Sequence, residues 1–262
     1  MLGNEAIARG AYEAGVRVSS AYPGTPSTEI NENVATYPEI YSEWAPNEKV
    51  AVEVALGAAV SGARSLACMK HVGLNVAADP FFTATYTGVN AGMVVVVADD
   101  PGMHSSQNEQ DTRMLARASH APVLDPSNSQ ECKDFLKLAY EISEKYDTPV
   151  ILRVTTRIAH ARTLVELDER VEVPLREYKR DIKKYVSMPA NMIARHLYVE
   201  EREKKLAEDA NTLPINRIEW ADRKIGVITS GAAYNYVKEA MPTARSCIPH
   251  APQTHRRVRS RR

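Results

Sequence analysis

Hydrophobic positions along the first 160 residues follow two alternating patterns, one typical of helices and the other of short buried strands. Helical periodicity and helix-start signals predict helices over residues 4–14, 48–62, 71–88 and 129–146, and a further helix that begins after the turn at residues 22–27. Apolar runs predict strands over residues 16–22, 40–44, 64–70, 93–99, 121–125 and 148–156. The run at 93–99, MVVVVAD, is apolar throughout, which is typical of a strand covered on both faces. The alternation predicts an α/β fold with a doubly wound, mostly parallel sheet.

In such a sheet, ligands bind beyond the carboxyl ends of the strands. The loops that follow Tyr22, Trp44, Lys70 and Asp99 each come directly after a predicted strand. We therefore expect these four loops to lie together at one edge of the sheet and to form the functional site.

The pattern changes along the chain and predicts four regions. Residues 1–162 form the α/β domain, and residues 163–221 are a charged connector that contains an edge strand and a helix from about 189 to 210. Residues 222–242 read as the start of a second α/β domain that is too short to fold alone. Residues 243–262 end in an arginine-rich stretch without periodicity, and we expect a disordered or non-native basic tail.

Composition excludes several classes of protein. The 262 residues are 44% hydrophobic and carry 33 basic and 33 acidic side chains, so no net charge attracts nucleic acid or a membrane surface. No apolar run is long enough to cross a bilayer, and the amino terminus lacks a secretory pattern. Cys68, Cys132 and Cys247 are odd in number and widely spaced, which indicates a reducing, cytoplasmic environment.

An acidic residue begins the helix of small residues that follows the second predicted strand. Asn47 is expected to cap this helix, Glu48 to open it, and Gly57 and Gly62 to allow close packing against a neighbouring helix. An acid in a first turn is common, because the helix dipole stabilises it, so spacing alone favours that ordinary role for Glu48. Thr25 or Ser27, with Pro26 at the first helical position, is expected to cap the preceding helix.

Seven segments occur in an order that carries a family resemblance: GNEAIARGA, YPGTPSTEI, NEKVAVEVALGAAVSGA, MKHVGLNVAADP, ADDPGMHSSQNEQD, APVLDPSN and TPVILRVTTRIAHAR. Over about residues 3–162 the chain resembles the 2-oxoacid:ferredoxin oxidoreductases, which are thiamine-diphosphate enzymes. MKHVGLNVAADP and HSSQNEQD are similar to the alpha subunits of the indolepyruvate branch. The resemblance implies a pyrimidine-binding domain, which holds the aminopyrimidine half of the cofactor.

The resemblance implies a catalytic role for Glu48, which would hydrogen-bond the N1′ atom of the aminopyrimidine ring. Glu53 lies on the same helix but does not match the nine-residue spacing to Gly57, so it is not selected. The implied cofactor-binding residues, besides Glu48, are Tyr22, Pro23, Gly24 and Gly73. The first three of these are equally compatible with an ordinary turn.

Five residues are candidates for binding the substrate: Thr25, Lys70, His71, Asn75 and His104. The family's threonine at the position of Thr25 points at the substrate carboxylate, although helix capping is an equally good explanation. Donors on Lys70, His71 and Asn75 surround Gly73 and would hold the substrate carboxylate or the negative charge that develops in the reaction. His71 could instead move protons. The alternative for His71 is an ordinary solvated side chain on a loop. Asp99 and Asp100 stand where pyruvate-type relatives carry a substrate-binding arginine, which fits a larger aryl substrate.

The remaining expectations concern parts that this chain lacks. It contains neither the G-D-G motif through which the family holds Mg²⁺ and the diphosphate nor the cysteine run of a 4Fe-4S cluster. A further domain or chain would supply them, together with a beta subunit, in an enzyme that uses an aryl 2-oxo acid, CoA and ferredoxin and is dimeric through the small-residue helix. The alternatives are a truncated partner-binding module without activity, or a relative that acts on another oxo acid. Nucleic-acid binding by the basic tail is the least favoured function.

Overall fold

Six parallel strands form the central sheet of this computed structural model, which describes residues 1–220, 222–242 and 244–248. The strands are β1 (Val18–Ala21), β2 (Tyr41–Trp44), β3 (Ser65–Lys70), β4 (Met93–Asp99), β5 (Val123–Leu124) and β6 (Val150–Thr155). Their order across the sheet is β2-β1-β3-β4-β6-β5, and every neighbouring pair is parallel. The predicted doubly wound α/β fold is confirmed.

Helices cover both faces of this sheet. The first eight are α1 (Gly3–Glu13), α2 (Thr28–Val34), α3 (Glu48–Val60), α4 (His71–Val76), α5 (Ala78–Thr87), α6 (Thr112–Ala118), α7 (Ser129–Tyr146) and α8 (Thr156–His160). Buried residues of α1, α2 and α7 pack with Leu66 and Cys68, whereas those of α3 to α6 pack with Ala67 and Met69. Because alternate residues of β3 point to opposite faces, the sheet separates two hydrophobic cores. All of β4 is buried, as its apolar sequence predicts.

The first part of the connector crosses the edge of the sheet at which the strands begin. Residues 163–181 contain no regular secondary structure, and their backbone donates to that of the domain at three points: Thr163 N to Met1 O (3.2 Å), Val171 N to Glu13 O (2.9 Å) and Arg176 N to Gly62 O (3.0 Å). The fully buried Glu13 carboxylate accepts hydrogen bonds from Lys133 of α7 (3.1 Å) and from the backbone N–H of Asp168 in the connector (2.8 Å). A buried charge paired in this way is costly to break, so the connector is part of the domain's structure and not a loose linker.

Two more helices, α9 (Ile182–Tyr185) and α10 (Pro189–Asp209), follow the connector. α10 packs beside α5, where Arg195 donates to the carbonyl of Tyr86 (2.6 Å). Asp147 accepts hydrogen bonds from Lys184 (2.8 Å), Arg195 (3.1 Å) and the backbone N–H of Val89 (2.8 Å). One carboxylate therefore ties both connector helices to the central domain.

A small second sheet follows, made of β7 (Arg217–Glu219), β8 (Asp222–Ile228) and β9 (Ala244–Ile248), with α11 (Ala232–Ala240) between β8 and β9. The β–α unit at 222–242 has the form expected from the sequence. The expected disordered tail over 243–262 disagrees with the structure at 244–248, which form β9 and pair with both other strands. The rest of that tail lies outside the described residues. Among the helices that the structure describes, none has both the length and the apolar character needed to cross a bilayer.

The start of α2 differs from the prediction. The helix begins at Thr28, so Pro26 is not its first residue, and Thr25 does not cap it. Ser27 occupies the capping position, but its hydroxyl donates to the carbonyl of Gly24 (2.7 Å) instead of accepting from the helix. The hydroxyl of Thr28 accepts from Gly24 N (2.9 Å). These side chains stabilise the preceding turn, a competing local use of hydroxyl groups.

The contacts predicted for Gly57 and Gly62, the two glycines of the small-residue helix, are also wrong. Gly57 is exposed, and a β-carbon added there would meet nothing within 4 Å. Gly62 lies beyond the end of α3 with a φ of +100°, and it faces the backbone of Arg176 in the connector, not another helix. Gly62 therefore permits a left-handed turn under the connector, and the surface around Gly57 is open in the single chain.

Candidate functional site

Four neighbouring strands end beside one another at the proposed site. In the order β2-β1-β3-β4, their last residues are Trp44, Ala21, Lys70 and Asp99. The loops that follow them therefore meet at the carboxyl edge of the sheet, as the sequence predicts. All candidate residues discussed below come from these loops or from the helices that they introduce, except Lys70, which is the last residue of β3.

Glu48 lies at this edge, at the first position of α3. Asn47 caps the helix by accepting a hydrogen bond from Val50 N (3.0 Å), as expected. The side chain of Glu48 is buried, with 9% of the residue exposed. None of the residues described in the structure donates a hydrogen bond to its carboxylate. Its oxygens are not among the buried polar atoms that lack a partner, so they remain accessible to a ligand at the carboxyl edge of the sheet.

Gly73 of α4 is packed against the Glu48 side chain. A β-carbon built on Gly73 would lie 2.6 Å from Oε1 of Glu48 and 2.7 Å from its Cγ. Any residue larger than glycine would therefore push the carboxylate away. The β3–α4 junction positions Glu48 by direct contact, which gives Gly73 a physical role at the site.

A second contact across the site joins Gly24, Lys70 and Ser105. A β-carbon on Gly24 would lie 2.9 Å from Cδ of Lys70, so glycine leaves room for the lysine stem. The Lys70 ammonium donates to the carbonyl of Ser105 (2.8 Å). Lys70 thus joins the loops after β1 and β4, while Tyr22, Pro23 and Thr25 are exposed on the same edge.

Asp100 organises the loop that follows β4. It accepts hydrogen bonds from Ser105 N (2.7 Å), Ser106 Oγ (2.8 Å) and Thr156 Oγ1 (2.7 Å). These donors hold the pKa of Asp100 well below its ordinary value, against the opposing effect of burial. The Asp100 carboxylate is therefore charged, and its hydrogen bonds are made with donors of the protein itself.

Asp99 has a similar structural use. It is fully buried, accepts from Thr112 N (3.1 Å) and pairs with Arg153 of β6 (2.6 Å), which also contacts Asp125 (3.2 Å). Burial in itself lowers the pKa of Arg153, but Asp125 and Asp99 raise it overall. Our sequence analysis missed Arg153, although a cation within the apolar run VILRVTT indicates a buried charge partner. The acids that Arg153 contacts include Asp99 and Asp125.

The three other substrate candidates have different surroundings. His71 is buried, Asn75 is exposed and its amide donates to Oε1 of Gln110 (3.0 Å), and His104 is exposed on the loop after β4. Burial lowers the pKa of His71, with Asp99 as the main opposing influence. No direct contact joins Thr25 or His104 to Glu48 within the part of the chain described.

The site fits half of a thiamine-diphosphate site. The unpartnered Glu48 carboxylate, held in place by Gly73, is suited to a ring nitrogen of the aminopyrimidine. Within the described residues, no group of three or more His, Cys, Asp or Glu side chains has the arrangement of a metal site.

Comparison with known proteins agrees with this geometry. Residues 9–217 match the family described as pyruvate flavodoxin/ferredoxin oxidoreductase, thiamine diP-binding. The chain is 50% identical over 251 residues to the indolepyruvate oxidoreductase subunit IorA of Pyrococcus abyssi, which covers 92% of this chain and 39% of the relative. It is 48% identical over 255 residues to IorA of Methanothermobacter marburgensis, covering 95% of this chain and 41% of the relative.

A more distant relative is the 2-oxoglutarate synthase subunit KorA of Methanothermobacter thermautotrophicus, 31% identical over 180 residues, which cover 65% of this chain and 48% of the relative. Among solved structures, the 2-oxoglutarate:ferredoxin oxidoreductase from Magnetococcus marinus aligns with a TM-score of 0.77 and 21% identity, over 97% of this chain and 54% of the other. That likeness shows the fold alone.

The chain belongs to the thiamine diphosphate-binding family of pyruvate flavodoxin/ferredoxin oxidoreductases. The resemblance read from the seven motifs is therefore confirmed. The chain spans about two fifths of the length of the IorA relatives.

Proposed function

We propose that this chain is the pyrimidine-binding part of a ferredoxin-linked oxidative decarboxylase of aryl 2-oxo acids. The complete enzyme would convert the oxo acid and CoA to acyl-CoA and CO₂ and pass an electron pair to ferredoxin. The observation that carries the proposal is the buried Glu48 carboxylate, which has no hydrogen-bond donor among the described residues and lies at the carboxyl edge of the sheet. Glu48 lies within residues 9–217, which match the thiamine diphosphate-binding family.

Glu48 would share a proton with the N1′ atom of the aminopyrimidine ring. Gly73 contacts this carboxylate, and the backbone of Tyr22, Pro23 and Gly24 would contact the ring from the turn after β1. When bound, thiamine diphosphate supplies the carbanion chemistry by which 2-oxo acids are decarboxylated. The protein contributes orientation and one proton held at a defined atom, which is the usual role of general acid–base groups.

The remaining candidates would hold the substrate. The Lys70 ammonium, which already bridges two site loops, would bind the 2-oxo carboxylate, with Thr25, Asn75 and His104 on the same edge. Asp99 and Asp100 are excluded from that task, because both are occupied by protein donors. The high identity to two IorA subunits supports an aryl substrate of the indolepyruvate type.

Other parts of the enzyme would complete the site. Mg²⁺ and the diphosphate group would be held by a diphosphate-binding domain, and 4Fe-4S clusters and a beta subunit would carry electrons towards ferredoxin. We propose that the enzyme is a dimer and that the open face of α3 around Gly57 lies in the contact, since a glycine there allows close approach of another chain.

Substitution of Glu48 tests the function. In the complete enzyme, Glu48→Gln should slow exchange of the C2 proton of bound thiamine diphosphate, and turnover with every oxo acid, on the order of 10²- to 10⁴-fold. Glu141→Gln is the matched control, because Glu141 is exposed on α7, on the opposite face of the sheet from α3, and should retain both rates. Exchange is followed by NMR after acid quench, and cofactor binding by calorimetry. Normal turnover in Glu48→Gln refutes the assignment, whereas a preference for 2-oxoglutarate over aryl substrates refutes only the substrate class.

A further inference from the structure

Lys70 is held at two points along its side chain. Its stem lies beside Gly24, and its ammonium donates to the carbonyl of Ser105 (2.8 Å). A lysine ammonium sits on a flexible four-carbon stem, so these contacts confine a charge that would otherwise move. An ammonium has three N–H donors, and the bond to Ser105 leaves it able to bind a ligand as well.

The carbonyl that holds Lys70 belongs to the peptide unit between Ser105 and Ser106, and one oxygen of Asp100 binds both of these residues. Oδ2 of Asp100 accepts from the backbone N–H of Ser105 (2.7 Å) and from the hydroxyl of Ser106 (2.8 Å). Rotation of the peptide unit would strain or break at least one of these bonds. Asp100 therefore fixes the direction in which the Ser105 carbonyl points.

The other oxygen of Asp100 ties the carboxylate to the central domain. Oδ1 accepts from the hydroxyl of Thr156 (2.7 Å), the first residue of α8, and only 1% of Asp100 is exposed. Although burial raises the pKa of Asp100, its donors lower it overall, so the carboxylate is charged near pH 7. Hydrogen bonds to a charged acceptor are about twice as strong as those between neutral groups. Asp100 is thus a firm anchor for the peptide unit that it holds.

The loop that carries Ser105 has little else to define its shape. Residues 101–105 and 107–109 are exposed, and Gly102 and Met103 have φ values of +84° and +52°, in the left-handed region. A segment with few buried contacts opens locally at a low cost in free energy. The position of the Ser105 carbonyl therefore depends on the bonds to Asp100 at the start of the loop.

We propose that Asp100 is a positioning residue for the substrate: through Ser105 it holds the Lys70 ammonium in the place where the carboxylate of the 2-oxo acid binds. This inference rests on the proposed function, in which Lys70 binds that carboxylate. Asp100 itself does not touch the substrate, because its oxygens are occupied by donors of the protein. A purely structural role would affect stability, whereas this role also sets the affinity for a carboxylate.

The negative charge of Asp100 makes its removal a discriminating test. Loss of a nearby negative charge should by itself favour binding of an anion, so weaker binding indicates that Lys70 has lost its position. In the complete enzyme, Asp100→Ala should raise KM for the 2-oxo acid about tenfold, the scale of one lost charged hydrogen bond. The value of kcat should stay within about threefold, the pattern expected for lost substrate binding. An unchanged KM overturns the proposal.

Glu144→Ala is the matched control for lost hydrogen bonds. Glu144 also accepts from a backbone N–H and from a side chain, those of Gly92 (3.1 Å) and Arg64 (2.8 Å). Gly92 comes just before β4, so Glu144 lies at the edge where the strands begin, away from Lys70. Its KM should stay within about threefold of wild type. An equal rise of KM in Glu144→Ala and Asp100→Ala overturns the proposal, because it would show a general effect of lost stability.

A double-variant cycle tests whether Asp100 acts through Lys70. Lys70→Met removes the ammonium and keeps an unbranched stem, so it should raise KM on its own. In that background Asp100→Ala should change KM by less than about twofold, because no ammonium is left to position. A full tenfold effect of Asp100→Ala in the Lys70→Met enzyme overturns the proposal.

Ser106→Ala tests the same link with a smaller change, which keeps the proposal testable if Asp100→Ala does not fold. It removes one of the two bonds to Oδ2 of Asp100 and should raise KM about threefold. Ser127→Ala is its matched control, because the Ser127 hydroxyl also donates to a carboxylate, that of Glu131 (2.7 Å), beyond β5 at the far side of the sheet. Equal KM values in the two variants overturn the proposal.

The outcomes also separate this inference from the proposed function. Loss of turnover in Glu48→Gln, combined with an unchanged KM in Asp100→Ala, rejects the positioning role and leaves the enzyme class standing. Normal turnover in Glu48→Gln rejects the function itself. The rise of KM in Asp100→Ala should be similar for aryl and other 2-oxo acids, because all of them share the carboxylate, and a rise confined to one class overturns the proposal.

Discussion

Replacement of Gly73 by alanine isolates the placement of Glu48 from its chemistry. The added β-carbon would lie 2.6 Å from Oε1 and 2.9 Å from Cδ of Glu48, whereas ordinary contacts begin at 3.4 Å. Relief of this overlap requires the carboxylate to move by about 0.8 Å, and a misplacement of about 1 Å costs a factor on the order of 10² in rate. We therefore expect kcat to fall roughly 10²-fold, or about 2.7 kcal/mol of activation free energy.

The same substitution should leave the fold intact. Overpacking costs about 1–3 kcal/mol when the neighbours are rigid, but here the three nearest atoms, Oε1, Cδ and Cγ, all belong to the Glu48 side chain and can move with it. Alanine also favours a helix over glycine by about 1 kcal/mol, and Gly73 lies within α4. The two effects nearly cancel, so the free energy of unfolding should change by less than about 1 kcal/mol.

The assay is C2 proton exchange and steady-state turnover in the complete enzyme, with urea unfolding as the stability measurement. Gly226→Ala is the control, because a β-carbon there meets nothing within 4 Å and Gly226 lies in β8, a strand of the second sheet. Turnover within about threefold of wild type in Gly73→Ala would show that the position of Glu48 does not limit the reaction. A large loss of stability would instead attribute the defect to folding.

Two further predictions concern stability and assembly. Asp100→Asn should lower the free energy of unfolding by roughly 2 kcal/mol near pH 7, as measured by urea unfolding. Because the folded-state pKa of Asp100 lies below its ordinary value of about 3.9, this stabilisation is complete above that pH and is lost as the pH falls towards the folded pKa. The gap between the two proteins should therefore narrow only below about pH 4, and a constant gap would contradict the argument. Gly57→Leu should weaken self-association about tenfold in sedimentation experiments without unfolding the chain, since the site is open in one copy; an unchanged dimer would move the contact elsewhere.

Elements with strong local signals were predictable from the sequence. The bounds of α7 and β4 agree with the sequence analysis, because one has clear helix-start and periodicity signals and the other is continuously apolar. The cap by Asn47 was predictable for the same reason. Such signals depend on residues only a few positions apart, so tertiary contacts are not needed to read them.

Features that depend on distant contacts were not predictable. Arg153 meets Asp99 and Asp125 from different strands, so its role appears only when the strand order is known. The sequence favoured Ser27 as a helix cap because hydroxyl groups stabilise both caps and turns. In the structure its hydroxyl donates to the carbonyl of Gly24 and stabilises the turn instead. The helix α6 was missed because it begins inside a polar loop, where Asp111 caps it.

The structure also shows how Glu48 can open a helix and still have a carboxylate to which no described residue donates. The sequence left two roles for it: an ordinary first-turn acid, or a proton-sharing group for a cofactor ring. Asn47 already accepts the hydrogen bond from Val50 N, so the helix start does not need the Glu48 side chain as its cap. Gly73 then holds that side chain against α4, buried and without a donor among the described residues. The helix dipole would stabilise an exposed acid equally well, so dipole stabilisation alone gives no reason for burial. A ligand that provides the missing hydrogen bond does give one, and this favours the second role.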